Sequence, residues 1–230
     1  MKTVLRFPCR LLTVSLWLLL LVALPGSAFA GNREVLWTIL NTCLDPRVAD
    51  YCNSCRAPLD FTPCAAAKAC RDTTQVWVET AEFVALRDRK MCDCPEEFVH
   101  GLVLPRAKVT GVEDPKRPGG IWKFAWAIAQ GRIPVDAERA LAVNPAGNRD
   151  QDQLHVHVVR LQKDARQRFA KVPSCRVRDL DEVWGTACRL AQGAGYADYG
   201  VLVASDGEGG YLVVVDRAST EKTYTVPRCR

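Results

Sequence analysis

Histidine is scarce in this chain, at three of 230 residues. No internal repeat and no low-complexity tract interrupts its alternation of apolar and polar residues, which excludes a repeat array or a long disordered tract as the organising principle. A surplus of charge is missing too. The sequence carries 31 Lys and Arg against 26 Asp and Glu, but Lys2, Arg6 and Arg10 fall in the first thirty positions and no acidic residue does. The remainder is nearly neutral, which argues against a nucleic-acid binder working through a basic surface. A long apolar run is also lacking. The stretch from Leu11 to Leu24 has 14 residues, short of the roughly 20 that a membrane-spanning helix needs.

What is there begins with an export pattern. The three basic residues precede the apolar run, and Pro25-Gly26-Ser27 and Ala28-Phe29-Ala30 follow it. This is the order of a secretory signal, so the mature chain is expected to begin at Gly31 and to be periplasmic or otherwise exported. The alternative for residues 11–24 is an anchor in the inner membrane. Loss of Cys9 with this segment leaves ten of the eleven cysteines, seven of them between Cys43 and Cys94 where apolar runs are scarce. An even number in an exported chain predicts disulfides, each contributing on the order of 2–4 kcal/mol. Cys52 and Cys55 have the spacing of a zinc or redox pair, but no second pair of similar spacing accompanies them.

Apolar periodicity predicts a helix over 33–42, strands over 75–87 and 97–104 joined as a hairpin, a turn-rich loop over 111–120, and a helix over 121–128. Strands follow at 139–143 and 153–159, then helices at 163–171 and 180–192. A hairpin of 201–204 with 211–215 closes the sequence. The sum is an α+β domain around a largely antiparallel sheet. Trp122 and Trp126, on the 121–128 helix, are expected in the core, and Trp37 is assigned there too. His100, among Val99, Leu102 and Val103, is expected to be structural.

The other two histidines stand at i and i+2 in Gln153-Leu-His155-Val-His157-Val-Val159. On a strand, Gln153, His155, His157 and Val159 share one face, while Leu154, Val156 and Val158 face the core. One imidazole can attack phosphorus while its neighbour donates a proton or steadies the phosphate. Two strand histidines also make half a metal site, but no carboxylate follows from Val158 to Lys163 and the remaining histidine is 55 residues upstream of His155. No metal and no other cofactor is assigned.

The alternation from Gln153 to Val159 resembles the signature of the histidine triad superfamily, with Gln153 standing where the first histidine is usual. Asn144, eleven residues before His155, and Arg149 and Gln151 in the linking turn strengthen the likeness. Over most of 33–230 the chain is similar to the CDP-diacylglycerol pyrophosphatase branch. The resemblance runs through Val35 to Ile39, Phe83 to Asp88, Leu104-Pro105 with Lys108, Gly111 and Glu113, Phe124 to Trp126, Asn144 to His157, and Tyr199 to Val201. It implies a histidine-triad-like fold with a disulfide-rich N-terminal segment, arranged as residues 1–30 (signal or anchor), 31–81 (cysteine-rich, packed on the main domain) and 82–230 (catalytic).

The activity implied is hydrolysis of CDP-diacylglycerol to CMP and phosphatidate. His155 would be the nucleophile, forming a cytidylyl-histidine, and His157 its hydrogen-bonding partner. Asn144, Arg149, Gln151, Gln153 and Lys108 would contact the substrate, Arg149 meeting pyrophosphate charge. The implied partners are the lipid nucleotide and a membrane surface, with no nucleic acid; nothing bears on oligomeric state. Two other readings stay open: a related enzyme acting on a soluble nucleotide pyrophosphate, and a cysteine-rich binding module without catalysis.

Overall fold

The computed structural model describes residues 33–44, 76–88, 91, 94–95 and 97–229. The expected signal or anchor, most of the cysteine-rich segment, and the side chains of Cys43, Cys52, Cys55, Cys64, Cys70 and Cys92 lie outside the described residues. Among those described, no helix is long and apolar enough to cross a membrane.

Eight strands form the sheet: β1 (Val76–Glu79), β2 (Phe83–Arg87), β3 (Gly101–Pro105), β4 (Arg139–Val143), β5 (Val156–Arg160), β6 (Ser174–Val177), β7 (Gly200–Ser205) and β8 (Tyr211–Asp216). They lie in the order β1-β2-β3-β5-β4-β7-β8-β6, and every pairing is antiparallel. The helices are α1 (Val35–Thr38, continued by a π turn over Ile39–Cys43), α2 (Ile121–Arg132), α3 (Ala165–Phe169), α4 (Val183–Gly193) and α5 (Thr220–Tyr224). The α+β architecture expected from patterning is present.

One face of the sheet, with Val103, Leu141, Val156, Val158, Val203 and Val213, packs under α2 and α4 as the largest apolar cluster. Trp122 is wholly buried there and meets Trp184 edge-on at 4.7 Å. Trp126 is buried in the same cluster, whereas Trp37 is only partly buried, against the α1 side. Burying large apolar side chains of this kind contributes about 1.5–3 kcal/mol each.

The opposite face carries two separate clusters. Leu36 and Ile39 of α1 cover Val84, Leu86, Leu102 and Leu104 on β2 and β3. Phe169 of α3 and Tyr224 of α5 cover Ala142, Val159, Leu202 and Val214. In register, His157 of β5 stands between Leu102 of β3 and Ala142 of β4. Paired residues of an antiparallel sheet point to the same side, so His157 sits where one cluster ends and the other begins.

Three expectations need correction. Residues 75–87 are two strands, because the Thr80 hydroxyl accepts the backbone N–H groups of Glu82 and Phe83 and folds the chain back without a Gly, Pro or Asn signal. The strand holding the histidines starts at Val156, so Gln153 and His155 precede it. The helix beginning at Ile121 runs on to Arg132. Strand β6 and helix α5 were not anticipated at all.

Candidate active site

His155 and His157 are carried to one place by β5 and the turn before it. They are 8% and 5% exposed, with ring centroids 4.9 Å apart. His155 Nδ1 lies 2.7 Å from the carbonyl oxygen of Gln153. A carbonyl only accepts, so Nδ1 carries the proton and Nε2 carries the lone pair. The same reasoning fixes His100, whose Nδ1 is 2.8 Å from the carbonyl of Pro227. Its Nε2 then accepts from His157 Nδ1–H, 3.0 Å away.

His157 Nε2 faces Glu221 Oε2 at 3.4 Å and Asn144 Nδ2 at 3.5 Å. Asn144, just beyond β4, is held in one orientation. Its Oδ1 accepts from the Ser219 hydroxyl at 2.8 Å and from the Glu221 backbone N–H at 3.2 Å, and its Nδ2 donates to Glu221 Oε2 at 2.8 Å. Gly200 allows this convergence: a Cβ there would come within 2.7 Å of the Val143 carbonyl and 3.0 Å of the Thr220 methyl.

A cavity of about 360 Å³ opens over these groups. Asn144, Gln151, His155 and His157 line it, together with Asp88, Glu221, Lys222 and Arg228. Val35, Leu36, Met91 and Leu102 supply an apolar wall. Lys222 and Arg228 are exposed cations at its rim.

Three other residues of interest from the sequence stand elsewhere. Gln153 is fully buried; its Nε2 donates to the carbonyls of Pro105 and Ala107, each at 2.9 Å, so only its backbone reaches the site. Arg149 does not line the cavity. It forms a bidentate pair with Glu113, at 2.7 and 2.6 Å, and reaches Asp152 at 3.2 Å. Its Nη1 occupies the space above Gly111, where a Cβ would come within 2.2 Å. Lys108 pairs with Glu34 at 2.8 Å and lies over the Trp37 ring. Burial pushes the Glu113 carboxyl up, but Arg149 outweighs it and holds the group below the usual range. The Arg33 guanidinium, opposed by burial and aided by Arg149, brings Asp152 down to about 2.

Sequence reasoning missed Asp88, Glu221 and the place of His100. The backbone N–H of Asp88 donates to the His100 carbonyl at 2.9 Å, which sets the two side by side at the ends of β2 and β3. The Asp88, His100 and His157 side chains each offer a ligand atom within 4.8 Å of the others, so they could hold a metal ion. The carboxylate comes from the residue just beyond β2 rather than from the histidine strand. Pro227 is held near His100 by the Cys94–Cys229 disulfide. Cys175 and Cys188 are free thiols, so the expectation that every cysteine pairs does not hold for these two, which lie on β6 and α4.

A family model described as CDP-diacylglycerol pyrophosphatase matches residues 31–201. The chain is also similar to a protein of Mycobacterium leprae (strain TN) described as a probable CDP-diacylglycerol pyrophosphatase, with 30% identity over 146 residues. That alignment covers 58% of this chain and 45% of the relative, less than half its length.

Proposed function

Because the chain belongs to the CDP-diacylglycerol pyrophosphatase family, we propose that it hydrolyses CDP-diacylglycerol to CMP and phosphatidate through a cytidylyl-histidine, on a histidine-triad-like fold. His155 Nε2 attacks the phosphorus that bears cytidine. An N–P bond forms as the bond to the bridging oxygen breaks, and that oxygen leaves with phosphatidate, taking the Nε2 proton of doubly protonated His157 and leaving its neutral Nδ1–H form. Water then attacks the same phosphorus and gives its proton back to His157. The N–P bond breaks and CMP departs, restoring the His155 lone pair.

The observation that carries this reading is the 2.7 Å contact between His155 Nδ1 and the Gln153 carbonyl. It leaves the lone pair on Nε2 of a residue lining the cavity, which supports His155 as the nucleophile. Any residue at position 153 supplies that carbonyl, so glutamine in place of histidine leaves the nucleophile oriented. Asn144 and Gln151 line the cavity for the substrate, and Lys222 and Arg228 at its rim suit the two phosphates. Arg149 and Lys108, paired with carboxylates, support the surrounding loops. We place the reaction at the outer surface of the inner membrane, with residues 1–30 directing export.

The test is incubation of the protein with CDP-diacylglycerol in vesicles, following CMP release, with an alkaline quench and peptide mass spectrometry for a cytidylyl group on His155. Wild-type protein should show both. Turnover of a soluble nucleotide pyrophosphate alone would replace the lipid substrate, and no release from any pyrophosphate would sink the enzymatic reading.

A further inference from the structure

We propose that Asp88, His100 and His157 bind a divalent transition-metal ion of the Zn²⁺ class at the floor of the cavity. The donor atoms are His100 Nε2, His157 Nδ1 and Asp88 Oδ2. The two nitrogens are 3.0 Å apart, and Asp88 Oδ2 is 3.6 Å from His100 Nε2. Zn²⁺ bonds of about 2.0–2.2 Å to nitrogen and oxygen in tetrahedral array require donor-to-donor separations of roughly 3.3–3.6 Å. Those two separations lie at or just below that range, and all three donor atoms fall within 4.8 Å of one another, close enough for side-chain rotation to gather them around one ion.

Two further features belong to a metal site rather than to a chance contact. The His100 Nδ1–H is donated to the Pro227 carbonyl, the outer interaction that fixes a ligating imidazole with its other nitrogen as lone-pair donor. Negative charge is concentrated around that nitrogen: Asp88 Oδ2 at 3.6 Å and Glu221 Oε1 at 3.7 Å flank an imidazole that is itself wholly buried.

Asp88, His157 and Glu221 also line the cavity, which gives an ion a route in and leaves a coordination position for water. Two imidazoles and one carboxylate select Zn²⁺ or Co²⁺ over Mg²⁺, which prefers oxygen and retains its waters. Binding displaces the proton shared between His157 Nδ1 and His100 Nε2 into solvent. With the ion on Nδ1, doubly protonated His157 gives up that proton and keeps the hydrogen on Nε2.

Co²⁺ titration of the chelator-treated full chain, read without substrate, tests this independently of lipid hydrolysis. One equivalent should bind with the intense visible bands of a four- or five-coordinate N/O site and no near-ultraviolet thiolate charge transfer. Asp88→Asn, which keeps the side-chain shape, and His100→Gln should each weaken binding at least tenfold, while Cys175→Ser with Cys188→Ser leaves it unchanged. Thiolate charge transfer, no binding by folded wild-type protein, or undiminished binding in folded Asp88→Asn would overturn the proposal.

Discussion

The carbonyl of Gln153 orients His155, while its side-chain amide donates to Pro105 and Ala107, so substitutions can separate the two roles. Gln153→Ala keeps the carbonyl and strands two backbone acceptors; stability should fall by about 1–3 kcal/mol, measured by urea denaturation, while the cytidylyl adduct still forms. His155→Ala has the opposite profile. Its kcat should fall by at least about 10³-fold and the adduct should vanish, with little change in unfolding. Adduct formation in His155→Ala would transfer the nucleophile's role elsewhere. Lys222 lines the cavity, and in the proposed reaction its cation would meet substrate charge in ground and transition states alike; Lys222→Ala should raise KM more than it lowers kcat.

Individual elements were legible in proportion to the regularity of their burial. Strands β4, β7 and β8, and helices α2 and α4, put apolar residues on the core side at strand or helix spacing and were anticipated within a few residues. Strand β6 is exposed at Ser174, Cys175 and Arg176 and gives no alternation to read. Helix α5 has five residues, and its start depends on the Ser219 hydroxyl accepting the Lys222 N–H. The paired histidines, His157 on β5 and His155 just before it, were visible at once, but their partners were not. His100 lies 57 residues from His157 and Glu221 lies 64 beyond it, and only sheet pairing and the returning C-terminus bring them together. The Cys94–Cys229 bridge, closing a separation of 135 residues, ties that terminus beside His100. Chain-entropy arguments put such a crosslink at roughly 4–5 kcal/mol at most. Cys229→Ser should therefore lower the unfolding midpoint and also reduce kcat, because Pro227 loses its anchor. Unaltered kcat in a folded variant would show that α5 holds the site without the bridge.

At the scale of the whole molecule, the cavity is a meeting point of segments distant in sequence, and one charged cluster links three of them. Arg33, just before α1, holds Asp152 at 2.7 and 2.8 Å and donates to the Arg149 carbonyl, while Arg149 pairs with Glu113. The turn carrying Gln151 and Gln153 is thus fastened on one side to the start of α1 and on the other to the loop before α2. Asp152 exposes the linkage to titration. Its carboxyl sits at about 2 in the folded protein, against about 3.9 in an unfolded chain. The unfolded state therefore binds the proton first as pH falls, so the contribution of Asp152 is complete above about pH 5, shrinks between about pH 4 and pH 2, and is absent below. Other carboxyls titrate over the same range, which makes the difference between wild-type protein and Asp152→Asn the informative quantity. In urea denaturation the wild-type advantage should be constant from pH 7 to pH 5 and disappear toward pH 2, and addition of salt should shrink it only in part, since Arg149 is buried. An advantage that persists unchanged to pH 2 would mean that the turn is fastened by packing and that the Arg33–Asp152–Arg149 charges contribute nothing to it.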